Sequence, residues 1–349
     1  MNTVWTILIA LLLFGLVIFL HEFGHFSTAK LFGIKVNEFA LVMGPKLFSF
    51  GKGETKYSLR LLPIGGFCAM EGEDEDSTDP RAFNRQTVWK RMIVVAAGAI
   101  MNLILGFILL LALRAQAKYF LSNTIHSVGS AVTYTDGAEL QPGDEVVSIN
   151  GFRIFCEFDM NYALSQYGGD ALDFVVKRGG QTVDVPGVKI NFKQVTGKDN
   201  QYAFYIEELP KTVGSVISQA AKYTVSIGRI VWVSLVDLIR GRYGLDAVSG
   251  PVGTVEIIGE AASAGANFKE SLNNLIWVMA MITVNLGIFN LLPIPALDGG
   301  RLLFLVVEAI RRKPVPPKYE GWVHAAGFVL LIGLMLVVTC NDVLKLFGK

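Results

Sequence analysis

The densest chemical pattern in the chain is His21-Glu22-Phe23-Gly24-His25. On a helix, residues i and i+4 share a face, so both imidazoles can reach one metal ion. Zn²⁺ suits such a donor pair. Glu22, one residue after the first imidazole, is placed to take a proton from a water on that ion. The bland alternative is a chance HExxH in an ordinary helix, but the setting weighs against it. The chain has only four histidines, and two fall here. All three ionisable groups follow an apolar run from Val4 to Leu20 interrupted only by Thr6 and Gly15. About 17 residues cover ~26 Å of helix, which puts these groups at bilayer depth, where unpaired polar side chains are costly.

Zinc needs a third protein ligand, with water in a fourth position. Asp298 is the candidate, in Asn290-Leu291-Leu292-Pro293-Ile294-Pro295-Ala296-Leu297-Asp298-Gly299-Gly300. The same carboxylate also suits a turn or a helix N-cap before the two glycines. His324 opens a later apolar run, and depth alone leaves it open as a ligand. His126 falls in a segment expected on the opposite side of the membrane. Asn285 and Asn290 interrupt an apolar stretch, either to bond neighbouring helices or to hold a substrate backbone unwound. Gly98, Asn102 and Gly106 recur every four residues, a close-packing face.

These residues need membrane-spanning elements to position them. Hydrophobic residues make up 52% of the chain and charged ones 17%, against about 25% charged in a soluble protein. The apolar excess lies in blocks. Four spans are expected: 4–32, 92–114, 275–310 broken at Pro293 and Pro295, and 322–344. The first is read as a retained span, because no Lys or Arg precedes it and it ends in the HEFGH motif rather than a cleavage site. Basic residues cluster in the loop 33–91 and at Arg311-Arg312-Lys313, which places both on the cytoplasmic side. The termini and residues 115–274 then face outward, with the active site toward the cytoplasm. Net charge is +1, no basic stripe points to nucleic acid, and the three cysteines stand far apart as isolated thiols.

Within the first loop, Leu47–Phe50, Gly51–Glu54 and Thr55–Leu61 read as strand, turn and strand. The acidic run from Glu71 to Asp79 reads as a solvated loop. Residues 115–208 alternate short apolar runs with turn signals such as Asn150-Gly151, Gly168-Gly169 and Gly179-Gly180, as a small β-rich domain does. Leu140-Gln141-Pro142-Gly143-Asp144-Glu145-Val146-Val147-Ser148-Ile149-Asn150-Gly151, led in by Asp136-Gly137-Ala138, looks like a PDZ core signature. Residues 209–274 hold a linker and a long helix with Lys222, Arg229 and Asp237 on one face, expected to lie on the outer membrane surface rather than cross it.

In order along nearly the whole chain, the sequence resembles the site-2 protease family of intramembrane zinc metalloproteases, in its bacterial regulator-of-sigma-E branch. HEFGH, Glu38-Phe39-Ala40 to Gly44-Pro45-Lys46-Leu47, Tyr57-Ser58-Leu59-Arg60 to Pro63-Ile64-Gly65-Gly66, Ala97-Gly98 to Met101-Asn102, Ser249-Gly250-Pro251-Val252-Gly253 and Asn290 to Gly300 carry the likeness. Ala99 stands where the family often has Pro, and Val42-Met43 replaces a more glycine-rich stretch. The resemblance implies a bacterial plasma-membrane enzyme with four transmembrane helices, a single inserted PDZ domain (115–208) and a membrane-associated cytoplasmic β-hairpin. It implies that His21, His25 and Asp298 bind one zinc and that Glu22 is the base. It implies that Asn285, Asn290, Pro293 and Pro295 seat the substrate and that the hairpin around 47–61 pairs with it. Its substrates would be membrane proteins already cut by another protease, such as anti-sigma factors or signal-peptide remnants. Two rivals remain: a scaffold acting through its PDZ domain, in which Glu22 and Asp298 are dispensable, and a metal transporter, which offers no reason for Glu22.

Overall fold

The computed structural model describes residues 3–347 except 52, 74, 136, 168–170, 192–202, 243 and 245–247. Asp136 and the expected turn at Gly168-Gly169 lie outside the described residues. The helices are α1 (Thr3–Leu31), α2 (Val88–Gln116), α3 (Glu157–Tyr167), α4 (Val213–Ile239), α5 (Pro251–Ser263), α6 (Phe268–Leu291), α7 (Asp298–Arg311) and α8 (Pro317–Phe347). The strands are β1 (Val36–Phe50), β2 (Lys56–Met70), β3 (Phe120–Val128), β4 (Val132–Tyr134), β5 (Glu145–Ile149), β6 (Phe152–Arg153), β7 (Leu172–Arg178), β8 (Gln181–Ile190) and β9 (Phe204–Leu209). The chain forms two compact units, one of residues 1–109 with 230–349, the other of 110–229.

Among the described residues, four helices are long and apolar enough to cross a membrane: Ile7–Leu31 of α1, α2, α6, and Lys318–Lys345 of α8. α4 is not among them. α1 ends where Gly33 takes φ +75°. The Gly33 N–H donates to Lys30 O at 3.1 Å and the Ile34 N–H to Ala29 O at 2.9 Å, which closes the helix in a Schellman motif. The accompanying apolar contact is present, since Ile34 and Ala29 are both fully buried. α6 begins with Asn267 accepting from the Glu270 N–H, while Glu270 accepts from the Ala266 N–H. It stops at Leu292, whose extended ψ of 143° is what a following proline imposes. Pro251 opens α5 at its first turn.

The hairpin differs from the expected pair of short strands. Each strand is 15 residues long, and the ribbon folds over on itself. Glu38 to Leu41 carry two sets of partners: Ala69, Cys68, Phe67 and Gly66 on one side, Lys56, Tyr57, Ser58 and Leu59 on the other. Phe48, Ser49 and Phe50 then pair with Leu59, Ser58 and Tyr57. The fold-over falls at Val42 (φ +57°), Gly44 (φ +90°) and Gly65 (φ +70°), left-handed values that a β-branched residue such as Val42 rarely takes. Gly66–Met70 is left on an outer edge of the ribbon.

The acidic run is a loop, as expected, with Glu75 and Asp76 exposed, but Glu71, Glu73 and Asp79 are paired with other side chains. Lys35 Nζ lies 3.3 Å from Glu71 and 3.4 Å from Asp79. Asn37 and Ser77 also donate to Glu71, and Glu73 pairs with Arg301. Apart from Ser77, these partners come from other segments, so local charge density alone gives no sign of them.

In the second unit the strand order is β4-β8-β7-β5-β3-β9, with β6 beside β5. Asn150 and Gly151 both have positive φ, 47° and 78°, the primed turn that Asn-Gly favours between hairpin strands. Buried Asp144 accepts from Gln141 N–H at 2.8 Å and from Arg178 twice at 2.7 Å. Burial alone would raise its carboxyl, but these bonds hold it below the usual carboxylate range. The α4 residues Ser226 and Arg229 meet the α3 carboxylate of Asp159 at 2.9 and 3.4 Å.

Candidate metal centre

α1 brings His21 and His25 to one face, with their Nε2 atoms 3.3 Å apart. Asp298, the first residue of α7, directs Oδ2 between them, 3.3 Å from His21 Nε2 and 3.4 Å from His25 Nε2. That oxygen is buried and meets no hydrogen-bond geometry with any described residue. An orphaned carboxylate oxygen facing two imidazole nitrogens is a costly arrangement unless a cation completes it. A tetrahedron with zinc bonds of about 2.0–2.1 Å has edges of about 3.3–3.4 Å, so the three donor separations fit zinc. Among the described residues this is the group of His, Cys, Asp or Glu side chains placed to share a metal ion.

α2 sets the imidazoles. His25 Nδ1 lies 2.8 Å from the Val94 carbonyl, so Nδ1 carries the proton and Nε2 is left as a donor atom. Asn102 Nδ2 lies 3.3 Å from His21 Nδ1, while Asn102 Oδ1 is buried without a partner among the described residues. Turning the amide end for end would let Oδ1 accept the His21 Nδ1 proton. The helices approach closely where Gly24 meets Gly98. A Cβ on Gly98 would stand 2.3 Å from His25 Nε2. The four-residue repeat marked Gly98 and Asn102 as packing residues; their place beneath the two histidines needed the fold.

Glu22, His21, His25 and Asp298 line a cavity of about 340 Å³, with the β2 edge Gly66–Met70, Glu73 and Arg301 on its walls. Cys68 in that edge is buried, and burial, reinforced by the Glu73 and Glu22 carboxylates, pushes its thiol well above the usual range. A second cavity of about 500 Å³ shares Glu73 and Arg301 with the first. Several expected site residues lie elsewhere. Asn285, Asn290, Pro293 and Pro295 do not line the first cavity, nor do the described residues of 47–61 in the hairpin. Asn285 Oδ1 is buried without a hydrogen-bond partner among the described residues. His324 is no part of the donor group; its Nδ1 accepts the Ala296 N–H at 3.0 Å.

Two imidazoles and a neighbouring glutamate on a helix of membrane-spanning length, met by a carboxylate at the start of the short helix α7, define a metal-dependent hydrolase built into the membrane. Comparison with known proteins makes this specific. The sequence profile of peptidase family M50 matches residues 9–334, and the chain belongs to that family, the site-2 proteases. It is 38% identical over 345 residues to CPE1693, a zinc metalloprotease candidate of Clostridium perfringens, covering 97% of this chain and 98% of that one. Its identity to the regulator of sigma-W protease RasP of Bacillus subtilis is 32% over 429 residues, covering 98% and 99%. With the protease eep of Enterococcus faecalis it is 31% over 432 residues, covering 98% and 99%. The protein is therefore a zinc metalloendopeptidase of the plasma membrane, carrying out intramembrane proteolysis on membrane-protein substrates.

Proposed function

We propose that His21, His25 and Asp298 hold the zinc ion and that Glu22 is the general base of peptide hydrolysis. The observation that carries this is the orphaned Asp298 Oδ2, equidistant within 0.1 Å from the two Nε2 atoms at 3.3 and 3.4 Å. Zinc bound there supplies a Lewis acid that acidifies water to a pKa of about 7 and polarises a carbonyl. Glu22, in the same cavity, takes a proton from the attacking water and passes it to the departing amine. Val94 and Asn102 keep the two imidazoles oriented through the step.

The substrate strand runs beside Gly66–Met70, adding to the open edge of the hairpin. Main-chain bonds there hold the peptide extended, which a helical segment must become before cleavage. This supports moving the pairing segment from 47–61 to the following edge, with the exposed Leu47, Phe48 and Phe50 as membrane contacts. Asn285, with Asn290, Pro293 and Pro295, seats substrate away from the cavity itself. The β-rich domain of residues 115–208 acts as a PDZ domain that screens substrates already cut by another protease. α4 lies along the outer membrane surface. Both termini face outward and the site faces the cytoplasm, where the cavity sharing Glu73 and Arg301, with Glu75, Asp76 and Arg85 on its walls, offers a route for water. The name of the RasP relative supports anti-sigma factors as one substrate class, and signal-peptide remnants are another.

The test is zinc content and cleavage of a transmembrane model substrate, measured on wild type and Glu22→Gln in detergent. About one zinc in both proteins with cleavage in wild type alone is the expected result. Equal cleavage by the two would remove Glu22 as base, and wild type without zinc would remove the metal site.

A further inference from the structure

The loop joining α6 to α7 carries Asp298 into the centre, and its backbone donors can be traced one by one. Leu292 N–H donates to Phe289 O, Ile294 N–H to Leu292 O and Leu297 N–H to Ile294 O. Pro293 and Pro295 have no N–H. Ala296 N–H donates instead to a side chain on another helix, Nδ1 of His324, at 3.0 Å. Ala296 also has φ +72°, a left-handed conformation that an L-residue adopts only when its surroundings impose it. Two residues later the chain reaches Asp298.

The same face of α8 presses on this loop. Three residues on from His324, Gly327 leaves no room for a side chain: a Cβ there would lie 2.4 Å from Pro295 Cβ and 2.7 Å from Pro295 O. The His324 ring itself lies 5.8 Å from the Phe304 ring of α7, and its Nε2 is 3.9 Å from Glu320. The imidazole is thus held between α7 and α8 with Nδ1 aimed at the loop.

We propose that His324 is a positioning residue for the metal centre: it accepts the Ala296 N–H, keeps the loop in its left-handed turn and so aims Asp298 at the two imidazoles. This rests on the reading of Asp298 as a zinc ligand. Without the acceptor, Ala296 would lose a part-buried hydrogen bond and the reason for its positive φ, and the loop would relax toward a conformation that turns Asp298 away. Asparagine carries Oδ1 at nearly the reach of Nδ1 and can replace it as an acceptor; phenylalanine keeps the ring and removes the acceptor.

The experiment measures zinc affinity by chelator competition on purified full-length His324→Phe, His324→Asn and Asp298→Ala beside wild type, with a thermal melt of each metal-free protein. The expected result is a zinc Kd raised about tenfold or more in His324→Phe, recovered to near wild type in His324→Asn, with Asp298→Ala weaker than both. Wild-type affinity in His324→Phe, with Asp298→Ala impaired, would overturn the positioning role alone. Wild-type affinity in Asp298→Ala would overturn the ligand assignment and the proposal with it. If His324→Phe fails to fold, His324→Asn decides: near-wild-type zinc affinity supports the acceptor role, and an affinity loss despite a normal melt overturns it.

Discussion

Gly98 is the position where a single methyl group should act most directly on the metal centre. A Cβ there would lie 2.3 Å from His25 Nε2, 2.7 Å from His25 Cε1 and 2.7 Å from His21 Cε1. Ordinary carbon contacts need about 3.4 Å or more, so the imidazoles of Gly98→Ala must retreat by roughly 1 Å. They cannot do so freely, because Val94 O holds His25 Nδ1 at 2.8 Å. Overpacking of this kind costs about 1–3 kcal/mol, and ~1.4 kcal/mol is tenfold in an equilibrium constant. Zinc affinity should therefore fall by roughly 5- to 150-fold. Chelator competition on purified protein reads it directly. Two other alanines on spanning helices serve as controls. Gly106→Ala meets Val284 Cγ2 at 2.3 Å, so it should loosen the α2–α6 contact and lower stability while leaving zinc affinity unchanged. Gly15→Ala meets nothing within 4 Å and should be silent or slightly stabilising. Zinc binding by Gly98→Ala as tight as by Gly15→Ala would refute the placement of the imidazoles.

Two further predictions concern structure around the site. Asp342 of α8 accepts from the Gly250 and Gly253 N–H groups, both at 2.9 Å, and so caps α5. Asp342→Ala should cost roughly 1–3 kcal/mol in a detergent unfolding titration, and an unchanged midpoint would count against the cap. Hydrogen bonds from Ser77, Asn37 and Lys35 hold the Glu71 carboxyl down at about 2. With an unfolded value near ~4.3, this folded value is depressed, so its stabilisation is complete above the unfolded value and lost as pH falls. Glu71→Gln should be less stable than wild type at neutral pH, with the gap closing from about pH 4.3 to about 2. A gap that stays constant over that window would show the carboxylate to be unpaired in solution.

What could be read along the chain was short-range. Asn150-Gly151 announces a hairpin turn and Pro293 announces the end of α6, because each acts through backbone dihedrals within a few residues. His21, Glu22 and His25 belong to the same kind, since the helical repeat alone puts the two imidazoles on one face. Asp298 was a weaker case: its spacing also suited an N-cap, and it does stand at the start of α7.

The rest depended on which distant segments meet. Local pattern found two strands in the hairpin but could not say that Glu38–Leu41 would pair on both sides, since Lys56–Leu59 and Gly66–Ala69 are both plausible partners. That choice decided that Gly66–Met70, and not residues 47–61, walls the cavity. The acidic run looked solvated until Lys35, Asn37 and Arg301 supplied its partners. Gly98 and Asn102 showed only a packing repeat, and His324 only an isolated imidazole, because their roles lie in contacts with α1 and with the Ala296 backbone. The sequence by itself determined the donor types and the membrane-spanning helix that carries the two imidazoles. Tertiary structure alone decided the 3.3 and 3.4 Å separations of Asp298 from the two imidazoles, because those are set by where α7 packs against α1, and no period along one chain encodes a distance between helices.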